Sequence, residues 1–416
     1  MTVEGNGQER VLDIVRLGAQ GDGVALTPEG AVFVPYTLPG ERVRAKVCGD
    51  RGELLEVLVA AGDRIVPVCR HFTRCGGCVL QHAADPAYAA WKQTLVADAF
   101  RQRGLEPDIQ GLIRMPLGAR RRAVFTARRT RKTVVVGYHD ARDPRSFALE
   151  ECPVLEPSIV ASMSTLRAIA GPLLSRNGEI RLGVTVTATG LDVAIEGAGG
   201  KRDAATRSAL ARLAAEAGLA RLSIDGDVIA TLAEPAVQCG PVRVAIPPGG
   251  FLQAVKDAEH VIARLVVQGL GGARHVADLF AGVGALTFPI AKAARVLAVD
   301  GDTAAIAALR HAARNAAGLK PIEGKVRDLF REPLSAKELE PFDGVVFDPP
   351  RAGADAQARA LAGSGAARVV AVSCNPATLA RDVRTLVDGG YRLGRVTPID
   401  QFVYSAHVEA VAVLER

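Results

Sequence analysis

The residues able to do chemistry fall in a few short stretches. Ser373-Cys374-Asn375-Pro376 follows an apolar run, Arg368-Val369-Val370-Ala371-Val372, that predicts a buried parallel strand, and it precedes a helical pattern stopped by Gly389-Gly390. Asn375 suits an N-cap and Pro376 the first helical turn. A thiol at such a junction faces the positive end of a helix, which favours the nucleophilic thiolate. A small buried cysteine that only packs would use the same residues, so both readings stand at this point. Cys69-x5-Cys75-Gly-Gly-Cys78 puts three thiols in one loop, and Cys152 can supply a fourth. Four thiolates hold either a 4Fe–4S cluster or a structural zinc ion. Near the end of the chain His407-Val408-Glu409 reads as a strand with His407 and Glu409 on one face.

A second set of residues suits a cofactor. Asp278-Leu279-Phe280-Ala281-Gly282-Val283-Gly284 ends an apolar strand, and its glycines permit a tight turn and close approach of a ligand. It lacks the third glycine of the dinucleotide fingerprint. The next strand ends in Asp300, placed to accept hydrogen bonds from a ribose diol, and Asp328 lies after the third strand, placed to hold an adenine amino group. These acids fit an adenosine-bearing cofactor, either a nicotinamide dinucleotide or S-adenosylmethionine. Phe347-Asp348-Pro349-Pro350-Arg351 separates the two, because Asp-Pro-Pro at a strand end resembles the fourth motif of class I methyltransferases. Members that methylate exocyclic nitrogen usually carry an aromatic after the prolines. Arg351 stands there instead, which points to carbon or another acceptor.

The elements that must position these groups form three zones. Residues 1–62 contain short strands separated by turn signals at Pro28-Glu29-Gly30 and Leu38-Pro39-Gly40, which predicts a small closed barrel of the OB type. Residues 63–250 hold the cysteine loop, a helix from Asp85 to Arg103 and a strand-rich α+β pattern; the helix is expected to pack on the following unit. Residues 251–416 alternate apolar strands with helices, the rhythm of an open, mostly parallel sheet whose ligands bind at the carboxyl ends of its strands. The net charge of +6 suits a polyanionic partner. The densest basic run, Arg120-Arg121-Arg122 with Arg128, Arg129, Arg131 and Lys132, is the candidate phosphate contact. The first ten residues are polar, with no apolar signal core, and no stretch reaches the roughly 18 apolar residues of a membrane span. A reducing cytoplasm is therefore expected, where cysteines serve metal binding or catalysis rather than disulfides.

Taken in order, Asp278 to Gly284, Asp348-Pro349-Pro350-Arg351, Ser373 to Pro376 and Asp400 to Glu409 resemble the RNA (uracil-5-)-methyltransferases. The N-terminal barrel resembles the family's TRAM domain, and Gly250-Phe251-Leu252-Gln253 resembles the segment that opens its catalytic domain. The resemblance implies a class I Rossmann-like α/β methyltransferase domain, S-adenosyl-L-methionine as cofactor and RNA as partner. It implies methyl transfer to carbon 5 of a uridine through a covalent adduct of Cys374, with Glu409 as general base. Gln253, Phe280, Gly282, Gly284, Asp300, Asp328 and Asp348 become expected cofactor contacts, and Arg120, Arg121, Arg122 and His407 expected RNA contacts. It also favours 4Fe–4S over zinc at Cys69, Cys75, Cys78 and Cys152, and the branch that modifies 23S rRNA. The alternatives are a tRNA target and, from another class, a non-catalytic iron–sulfur RNA-binding factor.

Overall fold

The computed structural model describes residues 7–131, 133–140, 146–175, 178–200 and 202–416; Lys132 of the basic run lies outside them. Strands Gln8–Leu17, Gly23–Thr27, Gly30–Val34, Arg42–Cys48 and Arg51–Val59 close into a barrel. Alternate residues point inward, so Leu12, Ile14, Ala25, Val32, Val34, Val43 and Ala45 fill its centre. Closure leaves the barrel without a free edge.

The middle of the chain builds a seven-stranded sheet. Its central strands, Arg122–Arg129, Glu179–Thr187 and Gly190–Glu196, are antiparallel neighbours. Helices Met163–Ala170 and Ala204–Glu216 contribute to its apolar core. Before the second of these strands the chain forms two short helices, Pro157–Ala161 and Met163–Ala170, and a 3-10 turn, Gly171–Leu173.

A nine-stranded sheet positions the site. Its order runs Ile322–Val326, Arg295–Asp300, His275–Leu279, Gly344–Phe347, Arg368–Ser373, Glu409–Glu415, Arg392–Asp400. The first five strands are parallel. They are near-continuous apolar runs because helices cover both faces of a parallel sheet, and every residue of Gly344–Phe347 is buried. Glu409–Glu415 is antiparallel to both neighbours, although it follows both of them in the chain. Its register pairs Ser373 with Ala410, so the next residues outward, Cys374 and Glu409, are neighbours across two strands.

Helix Asp85–Arg101 joins this unit rather than the middle one. Short strands Asp108–Ile109 and Ile113–Arg114 pair alongside Arg392–Asp400. The helix also reaches the barrel, where Trp91 Nε1 donates to the carbonyl of Gly18 at 3.1 Å. Its cap is Ala84, with Asp85 and Pro86 in the first turn. Among the described residues no helix is long and apolar enough to cross a membrane.

Candidate active site

The carboxyl ends of the parallel strands open into one cavity of about 710 Å³. Cys374, Glu409, Gln253, Phe280, Gly282, Asp300, Asp328, Asp348, His407, Arg120 and Arg122 all line it. Residues from across the last two-thirds of the sequence therefore meet where parallel-sheet topology brings strand ends together.

At one side Phe280 adopts a left-handed backbone, with φ of 63°, and turns the chain into the glycine loop. Gly282, with φ of 54°, has nothing within 4 Å of where a Cβ would stand, which leaves open space beside the backbone. Gly284 does something else. A Cβ there would sit 2.7 Å from Phe288, so this glycine permits packing and does not line the cavity. The Asp300 carboxylate is held by two backbone amides, Gly282 N and Asp302 N, each at 2.8 Å. Asp328 likewise accepts from Phe330 N at 3.0 Å, and the rings of Phe280 and Phe330 lie 5.4 Å apart. Fixed acids and an aromatic pair around open space fit the hydroxyls and flat base of an adenosine. Asp278 is wholly buried; Thr287 donates to one of its oxygens at 2.5 Å and the other has no partner. Burial pushes its carboxyl up to about 7, with Asp348 and Asp300 adding to the effect.

The other side of the cavity is a chain of amides between two carboxyls. Gln253 Nε2 donates to Asp348 at 2.8 Å, and Gln253 Oε1 accepts from Gln401 Nε2 at 2.8 Å. Gln401 Nε2 also donates to Glu409 at 2.6 Å, while its own oxygen accepts from the Ala254 amide at 3.1 Å. Each glutamine thus uses both ends of its amide, which fixes its orientation. Burial and the nearby Asp348 raise Glu409 well above the ordinary carboxyl range, and one of its oxygens has no partner. Burial likewise pushes Asp348 up to about 7, against the hydrogen bond from Gln253.

Asn375 caps helix Pro376–Asp388 by accepting from Ala377 N at 3.1 Å, and its amide nitrogen donates to the Arg351 carbonyl at 3.0 Å. This ties the Cys374 turn to the Asp348-Pro349-Pro350-Arg351 segment. The expectation of a helix-stabilised thiolate is not met. Burial, then Glu409 and Asp348, push the Cys374 thiol up to about 12, and Arg351 only partly opposes them. Burial, with two carboxyls close by, outweighs a partial helix charge.

His407 precedes the strand Glu409–Glu415 rather than lying in it, and its Nδ1 is 3.3 Å from the Arg351 guanidinium. Burial and the cations Arg351, Lys92 and Arg120 lower its pKa, which favours a neutral ring. At the mouth, Arg120 lies over Phe402 at 5.9 Å and Arg122 over the exposed Phe251 at 5.4 Å. Arg121 corrects the expectation of a phosphate contact. Its side chain is buried, pairs with Glu259 at 2.6 Å and donates to the Gln253 carbonyl at 3.0 Å, so it supports the amide chain from behind. Sequence reasoning also missed Gln401, although it lies inside the Asp400 to Glu409 motif, and it missed the buried Tyr88 and Lys92 beneath that segment.

Cys69, Cys75, Cys78 and Cys152 are free thiols. Burial raises Cys69 above its ordinary value and pushes Cys75 up to about 11 and Cys78 up to about 12, and each of the three is raised further by Cys152. The four therefore share one neighbourhood. Among the described residues no three His, Cys, Asp or Glu side chains stand at the spacing that holds a metal ion, so the expected cluster has no support from that geometry.

The TRAM family matches residues 4–57 and the tRNA (Uracil-5-)-methyltransferase family residues 266–416. The chain is 49% identical to an RNA methyltransferase of Rhizobium meliloti (strain 1021), over 97% of this chain and 98% of that one. It is 33% identical to the 23S rRNA (uracil(1939)-C(5))-methyltransferase RlmD of Chromohalobacter salexigens, over 97% of this chain and 89% of that one. Its fold matches that of the Pyrococcus abyssi tRNA (uracil-54, C5)-methyltransferase crystallised with S-adenosyl-L-homocysteine, with a TM-score of 0.76 over 97% and 99% of the two chains at 21% identity. The protein is a member of the RNA (uracil-5-)-methyltransferase family, an S-adenosylmethionine-dependent enzyme that methylates carbon 5 of uracil in RNA.

Proposed function

We propose that Cys374 is the nucleophile, Glu409 the general base and 23S rRNA the substrate of this methyltransferase. The observation that carries the assignment is the cross-strand adjacency of Cys374 and Glu409 at the floor of a cavity that also presents Asp278, Asp300 and Asp348. Carbon 5 of uracil is a weak nucleophile. Loss of the Cys374 thiol proton to solvent gives the thiolate, whose addition to carbon 6 breaks the 5,6 double bond and makes carbon 5 an enolate carbon. S-adenosylmethionine bound against Asp300, Asp328, Asp348 and the Gly282 loop would supply a methyl to carbon 5 and leave as the neutral thioether, and its sulfonium charge would favour the ionised forms of both Cys374 and Glu409. Glu409 then takes the proton from carbon 5, the double bond re-forms and the Cys374 sulfur leaves. The unpartnered Glu409 oxygen is the one free to accept that proton. A uracil in a stem cannot reach a sulfur at the floor of a cavity, so the target is unpaired or flipped out.

The rRNA target rests on the relative from Chromohalobacter salexigens, whose likeness extends over almost the whole chain. The chain divides functionally into the barrel, 1–62, a middle unit, 63–250, and the methyltransferase unit, 251–416, with helix Asp85–Arg101 docked on the last. Cys69, Cys75, Cys78 and Cys152 hold a 4Fe–4S cluster in the middle unit. This reading rests on the sequence spacing Cys69-x5-Cys75-Gly-Gly-Cys78 with Cys152 as the fourth thiol. The protein works in the cytoplasm, where rRNA is modified. Mapping of 5-methyluridine in rRNA and tRNA, from cells with and without the gene, tests the target. Loss at one 23S position supports it, and loss confined to tRNA overturns it.

A further inference from the structure

Between strand Arg392–Asp400 and strand Glu409–Glu415 the chain has no helix or strand, yet this segment delivers Phe402 and His407 to the cavity and Gln401 to Glu409. Its support comes from helix Asp85–Arg101. Lys92 on that helix is fully buried. Its ammonium donates to the carbonyl of Phe402 at 3.2 Å and to the carbonyl of His407, and it lies 2.9 Å from the Asp400 carboxylate. Three oxygens converge on a group with three protons to give. Tyr88, one turn earlier, donates to the other Asp400 oxygen at 2.6 Å and accepts from Tyr404 N at 2.8 Å. The Val79 amide, next to Cys78, donates to the Tyr404 carbonyl at 2.7 Å, and Tyr404 itself is held at φ of 62°.

A buried lysine is expensive, and an apolar side chain would pack beneath the segment at lower cost. What an apolar side chain cannot do is grip two carbonyls five residues apart and fix the loop between them. We propose that Lys92 is a positioning residue for uracil methylation: it clamps Phe402 and His407 so that Gln401 and Glu409 stand ready to remove the carbon 5 proton. The proposal rests on Glu409 being the base.

The test follows single turnovers on a substrate RNA, measuring methyl transfer and the release of free RNA from the covalent complex on denaturing gels. Lys92→Met is expected to slow release at least tenfold and to accumulate adduct, while affinity for S-adenosylmethionine stays within twofold. Asp400→Asn added to Lys92→Met removes the unpaired buried charge; it is expected to restore thermal stability and leave release slow. That double variant alone carries the comparison where Lys92→Met does not fold. Wild-type release in Lys92→Met, or its restoration by Asp400→Asn, overturns the clamp and leaves Lys92 as a charge partner. A Glu409→Gln control that forms no adduct sinks the base assignment, which is a different result from a Lys92 variant that matches wild type.

Discussion

Gln401 donates to Glu409 at 2.6 Å with the same nitrogen that donates to Gln253, so one amide sets the position of Glu409 and of the residue that holds Asp348. The two carboxyls of the site are mechanically linked although they come from different strands.

Removing the link has a measurable cost. Gln401→Ala leaves the Ala254 amide, the Gln253 side-chain oxygen and Glu409 each short of a partner, at about 1–3 kcal/mol for each buried group. The expected result is a fall in kcat of roughly tenfold to a hundredfold, with a smaller change in KM for RNA. Steady-state kinetics on transcribed rRNA fragments measure it, and an unchanged kcat removes Gln401 from the site.

Cys374→Ala is expected to abolish methylation while calorimetry shows cofactor affinity retained. Glu409→Gln should slow turnover by roughly 10²- to 10⁴-fold and leave RNA covalently attached, since elimination waits for proton removal. Full turnover in the first variant, or free RNA alone in the second, contradicts the assigned roles.

Asp278 makes stability depend on pH in a defined direction. Its carboxyl keeps a proton up to about 7 in the folded chain, against 3.8 ordinarily. Between those values the folded state binds more protons than the unfolded one, so stability falls as pH rises. The gap corresponds to on the order of 4 kcal/mol, complete above pH 7 and absent below the ordinary value. Asp278→Asn is therefore expected to raise the urea midpoint at pH 8 relative to wild type and to change it little near pH 4. Parallel curves at both pH values contradict this.

Arg121→Met separates support from RNA contact. It strands Glu259 in a buried position and is expected to destabilise the protein by about 3–5 kcal/mol. The salt dependence of RNA binding should not change. Arg122→Met, at the cavity mouth, should instead lower that slope by about one and leave the melting temperature close to wild type. Nitrocellulose binding across a salt series distinguishes the two.

The protein purified without oxygen is expected to be brown and to contain about four irons, the content of a single 4Fe–4S cluster. Alanine at Cys75 and Cys78 should remove the colour. Stoichiometric zinc with no iron reverses the choice of metal.

Much of the site was legible because parallel-sheet topology puts chemistry at strand ends, and Asp278, Asp300, Asp348 and Cys374 each end or follow an apolar run. The barrel was legible from its turn residues. Other features were not. Lys92 lies on a helix of low net hydrophobicity, where a lysine reads as a solvated face, and only the tertiary packing of that helix buries it. Arg121 was hidden in a run of arginines whose alternation turns the middle one inward. The helix-end argument for a Cys374 thiolate used a local effect, whereas the opposing carboxyls arrive from Asp348 and from a strand more than thirty residues downstream. Strands of two residues, Asp108–Ile109 and Ile113–Arg114, carry no pattern to read.

The strand that bears Glu409 is made after both strands it separates. During synthesis Arg368–Ser373 and Arg392–Asp400 leave the ribosome with a gap between them that only a later segment can fill. A nascent chain therefore exposes Cys374 without Glu409 beside it and a sheet with two unpaired inner edges, both liabilities until the insertion is made. Cys374 and Glu409 therefore come together only when the last strand of the chain is inserted and the sheet is finished.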